Sequence, residues 1–170
     1  MQWSMWLAHI GIAVFLIGAL GDGIFRTESI SRVSAGQIIV IGDKTAEFTG
    51  ISTKQASNYE AVVATLIIRD NKQRLITTLQ PEKRLYPVER QSTTEAAIHS
   101  SISGDYYAVL GDGNATIGYT IRLYHKPFIT WIWAGIGLMT LGGLISALTS
   151  ANAGRKQQLS NNDKENIYET

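Results

Sequence analysis

The sequence predicts a membrane protein in which two transmembrane α-helices flank a β-rich soluble domain. Two stretches, Met1–Gly21 and Pro127–Ser150, are long, apolar and free of Lys, Arg, Asp and Glu. Each is long enough to cross a hydrocarbon core of roughly 30 Å at about 1.5 Å per helical residue. Between them lie about a hundred residues, enough for one compact domain. These residues carry short apolar runs separated by turn residues, a pattern typical of strands.

Residues 1–21 form the first predicted transmembrane helix. Trp3 and Trp6 near its start suit the membrane interface, where amphipathic rings are enriched. No basic residue precedes the apolar part, and Gly18-Ala19-Leu20-Gly21 is a poor cleavage site, so we favour a retained helix over a cleaved signal peptide. Gly21-Asp22-Gly23 is expected to close the helix, because glycine tolerates the backbone angles of a helix end.

Residues 22–126 are predicted to form the β-rich domain. Its strands are expected where aliphatic residues cluster or alternate with polar ones, at Gly36–Gly42, Ala61–Arg69, Arg74–Leu79 and Ile117–Tyr124. Asp70-Asn71-Lys72 would supply a hairpin turn between the second and third of these strands. Thr93–Ser103 is predicted as a short helix capped by Thr93 or Thr94, with Glu95 as a carboxylate of that cap.

Residues 127–150 form the second predicted transmembrane helix, with Trp131 and Trp133 near its start. The last predicted strand runs almost directly into this helix, so we expect the domain to lie close to the membrane surface. The polar tail, residues 151–170, lacks apolar periodicity and is predicted to be disordered. Arg155 and Lys156 favour a cytoplasmic tail, which places the domain on the opposite, periplasmic side.

Composition excludes several classes of function. The chain has no cysteine, so it is neither a thiol–disulfide enzyme nor a thiolate metal site. A formal net charge of +1 without a basic cluster gives no support for nucleic-acid binding. The sequence contains no nucleophile motif, no pair of catalytic carboxylates beside a histidine and no phosphate-binding glycine loop. Gly111-Asp112-Gly113 is predicted to be a turn.

Small residues recur along both predicted helices. They are Ser4, Gly11 and Gly18 in the first, seven residues apart, and Gly135, Gly142, Ser146 and Thr149 in the second. Such stripes let helix backbones approach closely, although glycine is also simply common in membrane helices. Because two helices alone would hardly need both stripes, the packing interpretation predicts additional helices from a partner.

His9 is the only ionisable side chain in either apolar stretch. An ionisable group inside a membrane span is costly and usually faces a partner, a cavity or a metal. Histidine is also a common axial ligand of haem iron. Its helical face carries Met5, Ile12, Ala13 and Leu16, an apolar surface that suits a flat macrocycle. The alternative is a histidine that hydrogen-bonds to a neighbouring helix.

Several segments, in order along the chain, carry a resemblance to a known family. They are Ala8-His9-Ile10-Gly11, Pro81–Pro87 (PEKRLYP), Thr94–Ile98 (TEAAI), Asp105–Gly111 (DYYAVLG), Ile121–Phe128 (IRLYHKPF), Trp131–Gly135 (WIWAG) and Leu141–Leu144. Together they resemble the C-terminal part of the CcmF family, the haem-lyase membrane proteins of bacterial-type cytochrome c maturation. The Trp-rich haem-handling motif and most helices of full-length members are absent. The chain is therefore expected to be either a separately encoded C-terminal subunit or a fragment.

The resemblance implies a subunit of a haem lyase complex in the inner (cytoplasmic) membrane. Such a complex attaches haem covalently to apocytochrome c through thioether bonds. The resemblance also implies a transmembrane haem b with His9 as one axial ligand of the iron and the second ligand from a partner chain. We therefore do not expect the chain to bind haem or to be active alone.

The same resemblance implies a set of partners. They are the N-terminal CcmF part or subunit, other membrane and thiol-reducing proteins of cytochrome c maturation, and apocytochrome c, with no nucleic acid. A second function stays open. In that alternative the chain is a non-catalytic membrane-anchored module that docks apocytochrome c or thiol-reducing partners.

Charged residues of the domain are candidate contacts for haem propionates or for a partner. Lys83, Arg84 and Glu95 are the candidates, since Arg pairs with carboxylates through two hydrogen bonds. The alternative is a solvated turn fixed by Pro81 and Pro87. His99 and His125 lack carboxylate neighbours in the sequence, so they do not predict a metal site and are interpreted as surface residues.

Overall fold

The computed structural model describes residues 2–168, with side chains for residues 3–152, 154 and 155. Within that part of the chain there are two helices and ten strands. They form two compact units, one of Met1–Leu20 with Trp131–Thr170 and one of Gly21–Thr130. Two apolar helices thus flank a β-sandwich, which confirms the predicted fold class.

The two helices are α1 (Gln2–Phe25) and α2 (Ile129–Tyr168). Segments Trp3–Phe25 and Ile129–Asn152, with mean hydropathies of 1.9 and 1.6, are long and apolar enough to cross a membrane. Gly21-Asp22-Gly23 does not close α1, because its last turn is completed when the Arg26 N–H donates to the Asp22 carbonyl at 3.1 Å. This turn adds a second ionisable side chain, Asp22, to the first helix.

The backbone of α2 extends beyond its apolar segment. The backbone of α2 continues as helix to Tyr168, whereas residues 169 and 170 lie outside the described part. The segment contains no proline and several good helix formers, and extending an existing helix avoids the cost of nucleating a new one.

The helices α1 and α2 pack against each other through their small-residue stripes. A Cβ added to Gly135 would lie 2.5 Å from the Phe15 backbone nitrogen, and one added to Gly18 would lie 2.6 Å from that of Ile132. By contrast, an added Cβ at Gly137 would meet nothing within 4 Å. The two stripes therefore meet each other. The prediction that they require helices from a partner is wrong, since each stripe already supplies the other's partner.

The sandwich consists of two antiparallel sheets. Their strands are β1 (Thr27–Val33), β2 (Ile38–Ile41), β3 (Lys44–Gln55), β4 (Glu60–Arg69), β5 (Leu75–Leu79), β6 (Glu82–Tyr86), β7 (Gln91–Glu95), β8 (Ala97–Ser101), β9 (Gly104–Asn114) and β10 (Gly118–Lys126). The first sheet has the order β1-β10-β9-β8, and the second has the order β2-β3-β4-β6-β7 with β5 also paired to β4.

Buried Pro81 separates β5 from β6, which pair with different halves of β4. Proline has no N–H to give to a ladder, so it is suited to this break. Its carbonyl still accepts a hydrogen bond from the Ala64 N–H at 3.0 Å.

The core lies between the inner faces of the two sheets. Large side chains that are at least 98% buried come from both sheets, namely Phe48, Leu66 and Ile68 from one and Leu110, Ile121 and Leu123 from the other. Because successive strand residues point to opposite faces, these alternate positions fill the interior, and the remaining positions form the outer surfaces.

Several sequence predictions for the domain are confirmed. Ala61–Arg69 is β4, and the following turn leads into β5. The Asp70 carboxylate accepts hydrogen bonds from the backbone N–H groups of Lys72 and Arg74, each at 2.8 Å, which fixes that turn.

Other predictions for the domain are wrong. The predicted helix at Thr93–Ser103 is two strands, β7 and β8, because its β-branched threonines favour extended backbone and both segments find partner strands. Glu95 therefore ends β7 and does not cap a helix. The turn predicted at Gly111-Asp112-Gly113 lies within β9, and the alternative of a solvated turn at Glu82-Lys83-Arg84 does not hold either, since these residues lie in β6.

Candidate functional site

His9 lies on the side of α1 that faces away from α2. At about 100° per residue, it is roughly 160° around the helix from Gly11, which contacts α2. Its imidazole is exposed, and Nδ1 lies 2.7 Å from the Met5 carbonyl oxygen. A carbonyl oxygen only accepts hydrogen bonds, so Nδ1 is the donor, and the tautomer with this proton has a lone pair on Nε2.

This arrangement fits an axial ligand of haem iron. Metal-ligating histidines usually donate their other ring N–H to a carbonyl or carboxylate, which fixes the tautomer and the ring orientation. The surrounding side chains also fit a macrocycle, because Met5, Ile12 and Leu16 on the same side are 52%, 46% and 49% exposed. They offer apolar surface beside the imidazole. His9 could therefore hold a haem whose second ligand comes from elsewhere.

Arg84 and Glu95 are brought together on the outer face of the second sheet. The Arg84 Nε donates to Glu82 Oε2 at 2.9 Å, and Nη1 lies 3.8 Å from Glu95 Oε1. The guanidinium also lies 4.7 Å from the ring centroid of Tyr59, within range of a cation–π contact. The hydrogen bond to Glu82 raises the pKa of Arg84, and the same bond lowers the pKa of Glu82. We call Tyr59, Glu82, Arg84 and Glu95 the Arg84 cluster.

Lys83 belongs to a different surface. It lies on the opposite face of β6 from Arg84 and forms an ion pair with Asp112 of β9, so it connects the two sheets. This contact lowers the pKa of Asp112. The three candidate residues of the domain thus lie on two different surfaces, Arg84 and Glu95 on one and Lys83 on the other. Each of them already has an intramolecular partner of opposite charge, so an incoming carboxylate would have to compete with Glu82, Glu95 or Asp112.

His125 is not a surface residue, contrary to the sequence interpretation. Its ring is stacked on that of Tyr106, with centroids 4.6 Å apart, and its Nε2 is buried without a hydrogen-bond partner among the described residues. Strand register places His99, Tyr106 and His125 in one row across three adjacent strands. His99 is half-buried in that row, so it is not a surface residue either.

The environment of His125 shifts its ionisation. Burial, and then the positive charge of Lys44, lowers the pKa of His125, while Asp43 and a backbone contact at Ser103 oppose the shift. Burial also raises the pKa of the Tyr106 phenol. Folding therefore favours the neutral imidazole over the charged form.

We expect this histidine to make the domain less stable in mild acid. The pKa of His125 in the folded state lies below its unfolded value of about 6.5. As the pH falls below about 6.5 the unfolded chain takes up the proton first, so stability decreases and then levels off below the folded pKa. His125→Phe keeps an aromatic ring over Tyr106 without the titration. The variant should therefore lose less stability than the wild type between about pH 7.5 and pH 5.

Unfolding of the full chain in detergent is monitored by hydrogen exchange of β9 and β10. The quantity measured is the denaturant midpoint at both pH values. Ile98→Phe adds an aromatic ring at an exposed position of β8 in the same sheet without changing a titratable group, so it is the control and should keep the wild-type pH dependence. An identical pH dependence in wild type and His125→Phe would contradict the assignment.

Several members of these clusters have no local signal in the sequence. Tyr59 and Asp112 reach Arg84 and Lys83 only because β4, β6 and β9 come together in the fold. Lys44 approaches Tyr106 and His125 in the same way. The run of charges at Glu82-Lys83-Arg84 was the only local signal of a site in the sequence. It did not show that Lys83 and Arg84 lie on opposite faces of β6.

Comparison with known proteins adds a family match over the sandwich. Residues 24–127 match the family described as "CcmF C-terminal beta-sandwich". The matched range covers β1–β10 and therefore includes the Arg84 cluster, Lys83 and the row of His99, Tyr106 and His125.

Full-length relatives share sequence beyond the sandwich. The chain is 37% identical over 147 residues to the cytochrome c-type biogenesis protein CcmF of Pseudomonas aeruginosa, covering 86% of this chain and 22% of that protein. It is 37% identical over 144 residues to CcmF of Escherichia coli, covering 84% and 22%. It is 36% identical over 147 residues to the cytochrome c-type biogenesis protein ccl1 of Rhodobacter capsulatus, covering 85% and 22%. The chain thus spans about a fifth of the length of these relatives.

The fold is also similar to that of a solved structure, "Cytochrome c Heme Lyase CcmF". The TM-score is 0.64 at 19% sequence identity, with 84% of this chain and 24% of that chain covered. This likeness supports the architecture of helices and sandwich.

Proposed function

Because the chain belongs to the CcmF family through its C-terminal β-sandwich, we propose that it is a subunit of a cytochrome c haem lyase complex. In this proposal it acts with the N-terminal part of CcmF to help attach haem to apocytochrome c through thioether bonds. The observation that carries the proposal is the sequence identity to CcmF proteins, which extends over 84–86% of the chain and includes helix sequence outside the sandwich. The sandwich lies on the periplasmic side of the inner membrane.

We assign His9 to the binding of a haem b within the membrane. The geometry supports this, since the Met5 carbonyl fixes the tautomer and leaves Nε2 free on an exposed apolar side of α1. Bound there, a b-type haem would supply one-electron redox chemistry. The chain itself positions the imidazole, and its neighbours Met5, Ile12 and Leu16 exclude water from it. The N-terminal part would supply the second ligand of the iron and would cover this side of α1.

A second candidate function rests on the Arg84 cluster. This cluster presents ordered charges on the outer face of a sheet, an arrangement suited to recognising a protein partner such as apocytochrome c or a thiol-reducing protein. In that case the chain is a docking module and the chemistry resides wholly in its partners.

Co-expression tests the proposal. A bacterium without its own CcmF would receive the N-terminal part with or without this chain, and covalently bound cytochrome c haem would be measured together with the b-type absorption of the purified complex. Both signals should require the chain. Equal holocytochrome yield in its absence would contradict a role in the lyase. A lost yield with an unchanged b-type spectrum would assign the chain to docking.

A further inference from the structure

The outer face of the first sheet contains a groove of about 550 Å³ within the sandwich unit. Its side chains include Arg122, Tyr124 and Lys126 of β10 and Tyr107 of β9, with Arg26 just before β1 and Thr94 of β7. The two tyrosine rings meet edge to face, with centroids 5.6 Å apart. We call this the β10 groove.

Three cations line the β10 groove, and no carboxylate does. Among the described residues, Arg26, Arg122 and Lys126 form no ion pair. Two carboxylates flank the groove, because Glu28 is in register with Tyr124 and Asp105 is in register with Lys126. They reduce the positive charge around the site without neutralising the three cations. This differs from the Arg84 cluster and Lys83, whose charges are already paired.

Two of the three cations of the β10 groove lie next to the apolar helices in the chain. Arg26 directly follows α1, and Lys126 lies three residues before α2 begins at Ile129. At no more than about 3.6 Å per residue, both backbone positions must lie within a short distance of the two apolar helices. Arg122 and Lys126 occupy alternate positions of β10 with Tyr124 between them, so their side chains share one face and extend the charge away from the helix ends.

We propose that the β10 groove binds the phosphate of an anionic phospholipid headgroup. Arginine is suited to phosphate because its planar guanidinium donates two parallel hydrogen bonds. Tyrosine is enriched at the membrane interface because its ring is apolar and its hydroxyl is polar, and Tyr107 and Tyr124 supply both properties. An acidic protein segment would satisfy the charges equally well, but the position of Arg26 and Lys126 next to two long apolar helices in the chain favours the lipid. The inference requires α1 and α2 to cross a bilayer, and it is independent of the role in haem attachment.

Native mass spectrometry of the full chain, released from detergent with added lipid, tests this proposal. Phosphatidylglycerol should be retained in preference to phosphatidylcholine, and the preference should weaken in high salt. One basic residue near a membrane surface contributes about 1 kcal/mol, so Arg122→Gln should reduce the preference about fivefold. Arg32→Gln is the matched control, because Arg32 is exposed on β1 of the same sheet and does not line the groove.

Arg122→Lys tests whether an effect of Arg122→Gln arises from the lost charge or from disturbed folding. It keeps the positive charge but loses the planar fork of donors, so it should retain more of the preference for phosphatidylglycerol than Arg122→Gln does. Equal retention of the two lipids by the wild type would overturn the proposal. An equal reduction in Arg122→Gln and Arg32→Gln would also overturn it, since the preference would then reflect net charge and not the groove.

Discussion

His9→Ala is expected to remove the b-type absorption from the complex assembled with the N-terminal part of CcmF. The substitution deletes the only imidazole on α1 and with it a strong axial ligand of haem iron. A haem left with one protein ligand should be lost on purification or change its spin state. The measurement is the reduced-minus-oxidised spectrum of the purified complex, taken with the holocytochrome yield.

Two companion variants make this experiment specific. Ile10→Ala truncates an apolar side chain of α1 that is 51% exposed and lies about 100° around the helix from His9, and it should keep the spectrum. His9→Gly leaves a space into which added imidazole can bind, so exogenous imidazole should restore part of the absorption. If His9→Ala retained a normal b-type spectrum and a normal yield, His9 would be a packing residue and the assignment would be wrong.

Gly135→Leu is expected to separate α1 from α2. A Cβ at this position would lie 2.5 Å from the Phe15 backbone nitrogen and 2.7 Å from its Cα, and backbone atoms cannot rotate away as a flexible side chain does. Forcing extra atoms into a packed contact typically costs about 1–3 kcal/mol. All four tryptophans, Trp3, Trp6, Trp131 and Trp133, lie on these two helices, so tryptophan emission reports on them and not on the sandwich.

The chain in mild detergent is titrated with SDS, and the separation of the helices is monitored by tryptophan emission. The midpoint should shift to a lower SDS fraction in Gly135→Leu. Gly137→Leu is the matched control, because an added Cβ there meets nothing within 4 Å, and its midpoint should stay at the wild-type value. Equal midpoints for the two variants would show that the helices do not pack through Gly135.

The glycine stripes show the limit of predicting helix contacts from local sequence. The repeat of Ser4, Gly11 and Gly18 predicts a close helix contact from sequence alone, because only small residues let backbones approach. The repeat does not identify which helix makes this contact. The structure shows that Gly142 approaches Ser4 and Ala8, so the contact is internal to the chain and leaves the His9 side of α1 for other contacts.

Residues 93–103 show the same limit in the domain. A threonine with a carboxylate nearby resembles a helix start, and the preference of β-branched threonines for extended backbone is too weak to reject a helix. The strands form because Thr93 pairs with Arg84 and His99 with Tyr106. Long-range pairing of this kind depends on partners that a local pattern does not specify.

By itself the sequence determined the two apolar helices, the β-rich class of the domain between them, and His9 as the residue of interest in the first span. Each follows from a local rule, since an uninterrupted apolar run must satisfy its backbone hydrogen bonds within a helix, and an ionisable group placed in such a run is costly. The tertiary structure alone decided the pairing of the two stripes, the separation of Lys83 from Arg84, the burial of His125 and the cationic β10 groove. These depend on strand register and helix contact between residues far apart in the chain, where a shift of one residue turns every side chain to the other face.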